Sequence, residues 1–248
     1  MRHFLALPAI IYLLVLFYLP FLITLLYSFG FPGFTLKHYS EILDPLYLKV
    51  FINSLILASI TTVLCFILAY PLSYYIALKA GKWKNFLLLL VILPFWISFL
   101  LRTYAIMTLL TPLGLMFTFP AVVIGMVYDY LPFMILPLYA SLERVGRSQI
   151  EASYVLGAKP SQTFLKITLP LSKSGIFAGV LLVFIPALGE FVVPTMLGGT
   201  YATIGTITWD LFLRYHNWWK GSALSVVYMA LVLLAITIYI KRSERIEL

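Results

Sequence analysis

Glu151-Ala-Ser-Tyr-Val-Leu-Gly157 is followed ten residues later by Ile167-Thr-Leu-Pro170. The surrounding segment, residues 143–174, is a polar island of about 30 residues between hydrophobic runs long enough to cross a bilayer. Ser148 is placed to cap a helix beginning near Gln149, with Glu151 at the positive end of its dipole. Gly157 then ends that helix, because glycine accepts the left-handed conformation of a C-terminal cap. Pro160 forbids simple continuation, so Ser161-Gln-Thr-Phe-Leu-Lys-Ile167 starts a second short helix that ends before Pro170. The expected product is a helix–turn–helix protruding from a membrane. Its apolar residues Tyr154, Leu156, Phe164 and Leu165 call for a receiving groove on another protein. The competing reading lays the loop flat on the inner leaflet, held by its lysines and arginines.

Composition supports a membrane setting. The chain has 248 residues, 62% hydrophobic and only 10% charged, with a mean hydropathy of +1.02; soluble domains carry about a quarter charged residues. Six spans follow: Leu5–Phe29, Phe51–Leu78, Phe86–Leu110, Pro120–Leu142, Gly175–Leu197 and Ala223–Ile240. Each is about 18–28 residues, enough for about 30 Å of hydrocarbon. The expectation is an all-α integral membrane protein, a single transmembrane domain over residues 1–248 with the 143–174 loop inside it. Phe4 to Leu36 is free of charge, and its apolar run is too long for a secretory signal, so it reads as an uncleaved first helix.

The net charge of +8 does not indicate nucleic acid, because the basic residues fall in short segments between spans. With the N-terminus inside, the inner segments hold Arg2, Lys79, Lys82, Lys84, Arg144, Arg147, Lys159, Lys166, Lys173, Lys241, Arg242 and Arg245. The outer segments hold Lys37, Lys49, Arg214 and Lys220, and Arg102 falls within the third span. That asymmetry places both termini and the 143–174 loop in the cytoplasm.

Catalytic chemistry is not expected. No Gly-x-x-x-x-Gly-Lys-Ser/Thr phosphate loop is present, and His3, His38 and His216 show no metal-ligand or triad spacing. The single cysteine, Cys65, reads as a small residue of an apolar run.

The Glu151–Gly157 and Ile167–Pro170 segments resemble the EAA loop of ABC-importer permeases, with Glu151, Ala152, Gly157, Ile167, Leu169 and Pro170 at the family spacing and Ser153 where the pattern has alanine. Three further runs are similar to spermidine/putrescine importer permeases, the first of two homologous permease subunits. They are Leu93-Pro-Phe-Trp-Ile-Ser-Phe-Leu-Leu-Arg102-Thr-Tyr104-Ala, Tyr130-Leu-Pro-Phe-Met-Ile-Leu-Pro-Leu-Tyr-Ala-Ser-Leu-Glu143 and Phe184-Ile-Pro-Ala-Leu-Gly-Glu190-Phe-Val-Val-Pro. The stretch Thr111–Phe119 is short relative to that family. The resemblance implies a type I importer permease (MetI-like) fold in a bacterial cytoplasmic membrane. It implies as partners a second permease, a cytoplasmic ATPase dimer that docks on the loop, and an extracytoplasmic polyamine-binding protein. ATP and magnesium then belong to the ATPase, and no cofactor is expected on this chain.

A polyamine is a flexible cation with aliphatic stems, so its path needs carboxylates and aromatic faces. Asp129 in the fourth span and Glu190 in the fifth are the intramembrane carboxylates, with Asp129 about nine residues, or roughly 14 Å, from the outer end. Trp96, Tyr104, Tyr128 and Tyr130 supply aromatic surfaces at comparable depths. Arg102 is a possible ion-pair partner for either carboxylate, although no basic residue obviously shares the depth of Asp129. Carboxylates beside proline breaks also cap freed backbone N–H groups, so Glu190, near Pro186, Gly189 and Pro194, carries two readings. Alternatives for the whole chain are the same importer class with ferric iron, thiamine, a phosphonate or an opine as cargo, or an ion-driven secondary transporter.

Overall fold

The computed structural model describes Pro8 and residues 11–247, with the side chains of Arg147 and of 238–247 excepted. The expected start of the first span at Leu5, together with Arg2 and His3, lies outside the described residues, as do the side chains of Lys241, Arg242 and Arg245. Among the described residues every regular element is helical.

Among the described residues four helices are long and apolar enough to cross a membrane alone, and the number rises to six when each of two bent pairs is counted as one span. The single helices are α1 (Ile11–Ser28), α3 (Pro45–Leu78), α6 (Phe119–Val155) and α11 (Trp218–Glu247). The remaining elements are α2 (Lys37–Ile42), α4 (Lys84–Ile92), α5 (Phe99–Leu110), α7 (Pro160–Leu171), α8 (Lys173–Gly189), α9 (Val192–Leu197) and α10 (Ile204–Trp209).

The third predicted span is not continuous. A 3-10 turn over Leu93–Trp96 follows α4, Ile97 is extended, and α5 leaves at 98° to the segment before it. Pro94 removes a helical donor and starts the break. The fifth span also departs from a single Gly175–Leu197 helix. It ends as α8 at Gly189, turns through an extended Glu190 and restarts as α9. At its other end it meets α7 at a 62° bend.

Contacts divide the chain into two units, Ile52–Thr203 and the segments on either side of it. In Ile52–Thr203, α6 is the central helix. Val122, Met126, Tyr130, Met134, Leu138 and Leu142 recur every fourth residue and are all buried, a stripe that winds around the helix by about 40° per step. Lipid tails are as apolar as leucine, so close approach and internal hydrogen bonds must hold such helices together. Gly175 and Gly179 supply the approach of α8 to α6. A Cβ on Gly175 would lie 2.5 Å from Ser141 Cβ, and one on Gly179 2.6 Å from Met134 Sδ. The Ser73 hydroxyl donates to the Ile135 carbonyl at 3.1 Å, which ties α3 to α6.

In the flanking unit α1 packs along α11. Ile42, Leu211, Ala223 and Leu224 form its small core, with Tyr39, Tyr47 and Ile207 against it. Tyr39 donates to Ser28 Oγ at 2.7 Å and Trp219 Nε1 to the Phe31 carbonyl at 2.8 Å. Lys220 lies 3.2 Å from Glu41, and its hydrogen bond holds the Glu41 carboxyl below the usual range. Asp44 caps α3 through the Leu46 N–H, ahead of Pro45 at the first helical position.

Candidate functional site

The 143–174 loop is a helical hairpin, built differently from the sequence expectation at three points. The break after the fourth span falls at Gly146 (φ 69, ψ 160), two residues before the expected Ser148 cap, because glycine adopts that conformation without a Cβ clash. The second arm does not stop before Pro170 but runs to Leu171. A π-helical turn over Phe164–Thr168 widens it, which makes room for the proline ring. Phe164 is half-buried and meets the Tyr70 ring edge-on at 5.6 Å, so it serves the fold rather than a partner.

The turn between the arms has a full hydrogen-bonded cap. Gly157 N–H donates to the Tyr154 carbonyl at 2.9 Å and Ala158 N–H to the Ser153 carbonyl at 3.0 Å, the paired bonds of a Schellman cap. Gly157 holds φ +81, yet a Cβ there would meet nothing within 4 Å. The constraint is therefore conformational and not steric. Gln162 Oε1 accepts from the Lys159 N–H at the start of the second arm.

The arms are pinned together by Ser153. Its hydroxyl is buried, donates to the Ile150 carbonyl at 2.7 Å and lies 2.8 Å from Thr163 Oγ1. The second arm is also tied to α3, since Tyr70 OH lies 2.9 Å from Ser172 Oγ. At the base, Lys84 forms an ion pair with Glu143 and lies 5.4 Å over the Tyr139 ring. These ties leave the tip outside. Glu151, Ala152, Tyr154, Val155, Leu156, Leu165 and Pro170 are exposed, while Ile167 and Leu169 are half-buried. Two large apolar side chains at the tip, Val155 and Leu156, are 88% and 86% exposed.

The second group of interest lies within the spans. Asp129 is 2% exposed and Arg102 Nε lies 3.4 Å from its Oδ1. A basic residue thus does share its depth, contrary to the sequence expectation, because the bent third span turns Arg102 inward on α5. Neither Asp129 oxygen accepts a hydrogen bond among the described residues. Glu190 differs. Tyr130 OH donates to its Oε2 at 2.7 Å and the Val192 N–H to its Oε1 at 2.8 Å, so it caps α9 across the proline-rich break. Asp129 and Tyr130 are adjacent on α6, which brings both carboxylates to one level of that helix. Trp96, Tyr104 and Tyr128 are exposed and are not gathered with them. Tyr104, two residues beyond Arg102, falls on the opposite face of α5. The hydroxyl pair of Ser153 and Thr163 escaped the sequence reading. Its signal was two small hydroxyl residues either side of Gly157 and Pro160.

Comparison with known proteins adds the following. Residues 69–244 match the family model for the binding-protein-dependent transport system inner membrane component. The chain is 38% identical over 235 residues to the spermidine/putrescine transport system permease protein PotB of Escherichia coli (strain K12), covering 88% of this chain and 86% of that protein. The Haemophilus influenzae protein of the same name is 36% identical over 234 residues, covering 87% and 82%. Among solved structures, a bacterial ABC transporter involved in the import of the acidic polysaccharide alginate superimposes with a TM-score of 0.73 at 19% identity, covering 98% of this chain and 95% of that one. That likeness shows a shared fold, and with the family match it is that of an importer permease.

Proposed function

Because the chain belongs to the family of binding-protein-dependent transport system inner membrane components, we propose that it is the permease subunit through which an ATP-driven importer moves polyamines into the cell. Membership makes it a multi-pass transport subunit of an inner membrane. The polyamine cargo is supported by the 36–38% identity to spermidine/putrescine permeases over most of both chains, and by carboxylates held within apolar spans.

In this reading the 143–174 hairpin faces the cytoplasm and docks on an ABC ATPase dimer, which binds ATP and magnesium. Glu151, Ala152, Gly157, Ile167, Leu169 and Pro170 form or support the docking surface. A second, homologous permease completes the pathway and an extracytoplasmic binding protein delivers the cation. Closure of the ATPase pair moves the hairpin, and α6 carries the motion into the spans because hairpin and span are one element broken only at Gly146. Alternating access then exposes the pathway first outward and then inward. Asp129, Glu190 and Tyr130 line the route, while Trp96 and Tyr104, on faces turned away from them, are left outside it. No bond is made or broken on this chain.

The observation that carries the coupling role is the exposed apolar tip on a hairpin otherwise tied down by Ser153 and Tyr70. Val155→Asp and Leu156→Asp test it. Each should prevent co-purification of the ATPase subunit while the permease still inserts and folds. Undiminished ATPase capture by both variants would remove the docking assignment.

A further inference from the structure

The two carboxylates beside Tyr130 are in opposite states. Glu190 has both oxygens occupied by hydrogen-bond donors. Asp129 has an arginine beside it, yet Oδ1, Oδ2, Arg102 Nε and Arg102 Nη1 are all sealed from solvent and make no hydrogen bond among the described residues. A buried ion pair that braces a fold needs saturated, fork-like hydrogen bonds to offset the loss of water around two charges. The 3.4 Å approach of one nitrogen to one oxygen leaves that offset incomplete. Asp129 therefore has unused acceptor capacity, in an apolar setting where a cation binds strongly and water competes little.

Arg102 is also mounted so that it can leave. Its helix α5 begins immediately after the Ile97–Ser98 break, where the chain turns by 98°. The guanidinium carbon lies 5.6 Å from the ring of Phe99, one turn back on the same helix. That ring is a cation–π resting place available without the carboxylate.

We propose that Arg102 is a tethered counter-ion standing in the ammonium site of Asp129 between transport cycles. An ammonium group of the cargo displaces the guanidinium from Asp129, and the return of Arg102 expels the cargo. Glu190, held by Tyr130 and the α9 backbone, stays fixed and adds negative potential beside the exchange site. The class of ligand is an alkylammonium, and the inference rests on the polyamine reading above.

Two measurements on the assembled complex test it, with assembly scored separately for every variant. Labelled spermidine uptake by the unmutated complex comes first, since its absence would discard the polyamine reading itself. Equilibrium binding of labelled spermidine is then measured without the binding protein. If Arg102 holds the site about nine-tenths of the time, Arg102→Gln should tighten binding about tenfold. It should also slow turnover, because nothing then displaces the cargo. Asp129→Asn should lose binding and uptake, and Arg102→Gln/Asp129→Asn should remain as poor as Asp129→Asn. A merely structural pair gives a different pattern. Removing both buried charges would restore uptake, and Arg102→Gln would bind no better than the unmutated complex. Either result overturns the proposal, as would failure of all three variants to assemble, which would make the pair indispensable to folding.

Discussion

Ser153→Ala isolates the tie that holds the hairpin in shape. Ser153 has one hydroxyl proton, and it is directed to the Ile150 carbonyl. The Thr163 hydroxyl must therefore donate to Ser153 across the 2.8 Å contact. Alanine removes the acceptor and leaves the Thr163 hydroxyl, 2% exposed, without it. A lost hydrogen bond of about 1 kcal/mol plus part of the burial penalty of a stranded donor gives about 1–2 kcal/mol. Thr163→Val should be milder, about 0.5–1 kcal/mol, because Ser153 keeps its bond to Ile150. The double variant leaves two apolar groups facing each other and should cost less than the sum, with a coupling of about 1 kcal/mol. The readout is tryptic cleavage after Lys166, which is exposed, in permease expressed without its ATPase partner. Cleavage follows the open population of the hairpin, so Ser153→Ala should speed it about tenfold per 1.4 kcal/mol. An unchanged cleavage rate in Ser153→Ala, or strict additivity in the double variant, would show that the hydroxyl pair does not hold the arms.

Three further outcomes follow from particular contacts. At Gly157 the φ of +81 with open space around the Cβ position predicts that Asn is tolerated, Ala costs about 1–2 kcal/mol and Val more. Coupling of ATP hydrolysis to uptake should fall in that order, and equal loss with Asn and Val would contradict a purely conformational constraint. Gly175→Leu forces a side chain into Ser141 and the Pro137 carbonyl, so folded yield should drop by the 1–3 kcal/mol (~) typical of overpacking, whereas normal thermal stability would mean α8 does not sit against α6 at that crossing. Glu190→Gln leaves one oxygen to serve Tyr130 OH and the Val192 N–H and should cost about 1–3 kcal/mol, with Tyr130→Phe milder because the backbone donor remains; thermal unfolding of the purified complex checks the order.

The hydrophobic runs made the spans legible, because length and polarity decide what crosses a bilayer. The end of α3 at Leu78 and the left-handed Gly157 were readable for the same local reasons. The 98° break in the third span was harder to see, since residues on both sides of Ile97 and Ser98 stay apolar and only Pro94 signals trouble. Ser148 is the stronger sequence signal because a side-chain cap is the commoner helix start, whereas the long α6 needs only a residue able to take positive φ, and Gly146 is that residue. The state of Asp129 lay beyond sequence altogether. Whether Arg102 meets it depends on the direction in which a broken helix leaves, and that is set by packing between elements far apart in the chain. Ser153, a minor departure from the alanine of the family pattern when read as a letter, becomes a structural tie once Thr163 is placed opposite.

The most direct test of the account is uptake of labelled spermidine into proteoliposomes holding the complete importer, with unlabelled putrescine, thiamine and ferric citrate as competitors. A polyamine importer should show uptake that requires ATP and the binding protein and that putrescine alone among these competitors suppresses. ATP hydrolysis without spermidine uptake, or uptake suppressed by thiamine or ferric citrate, would contradict the polyamine assignment. Uptake driven by an ion gradient without the ATPase would contradict the importer mechanism as a whole.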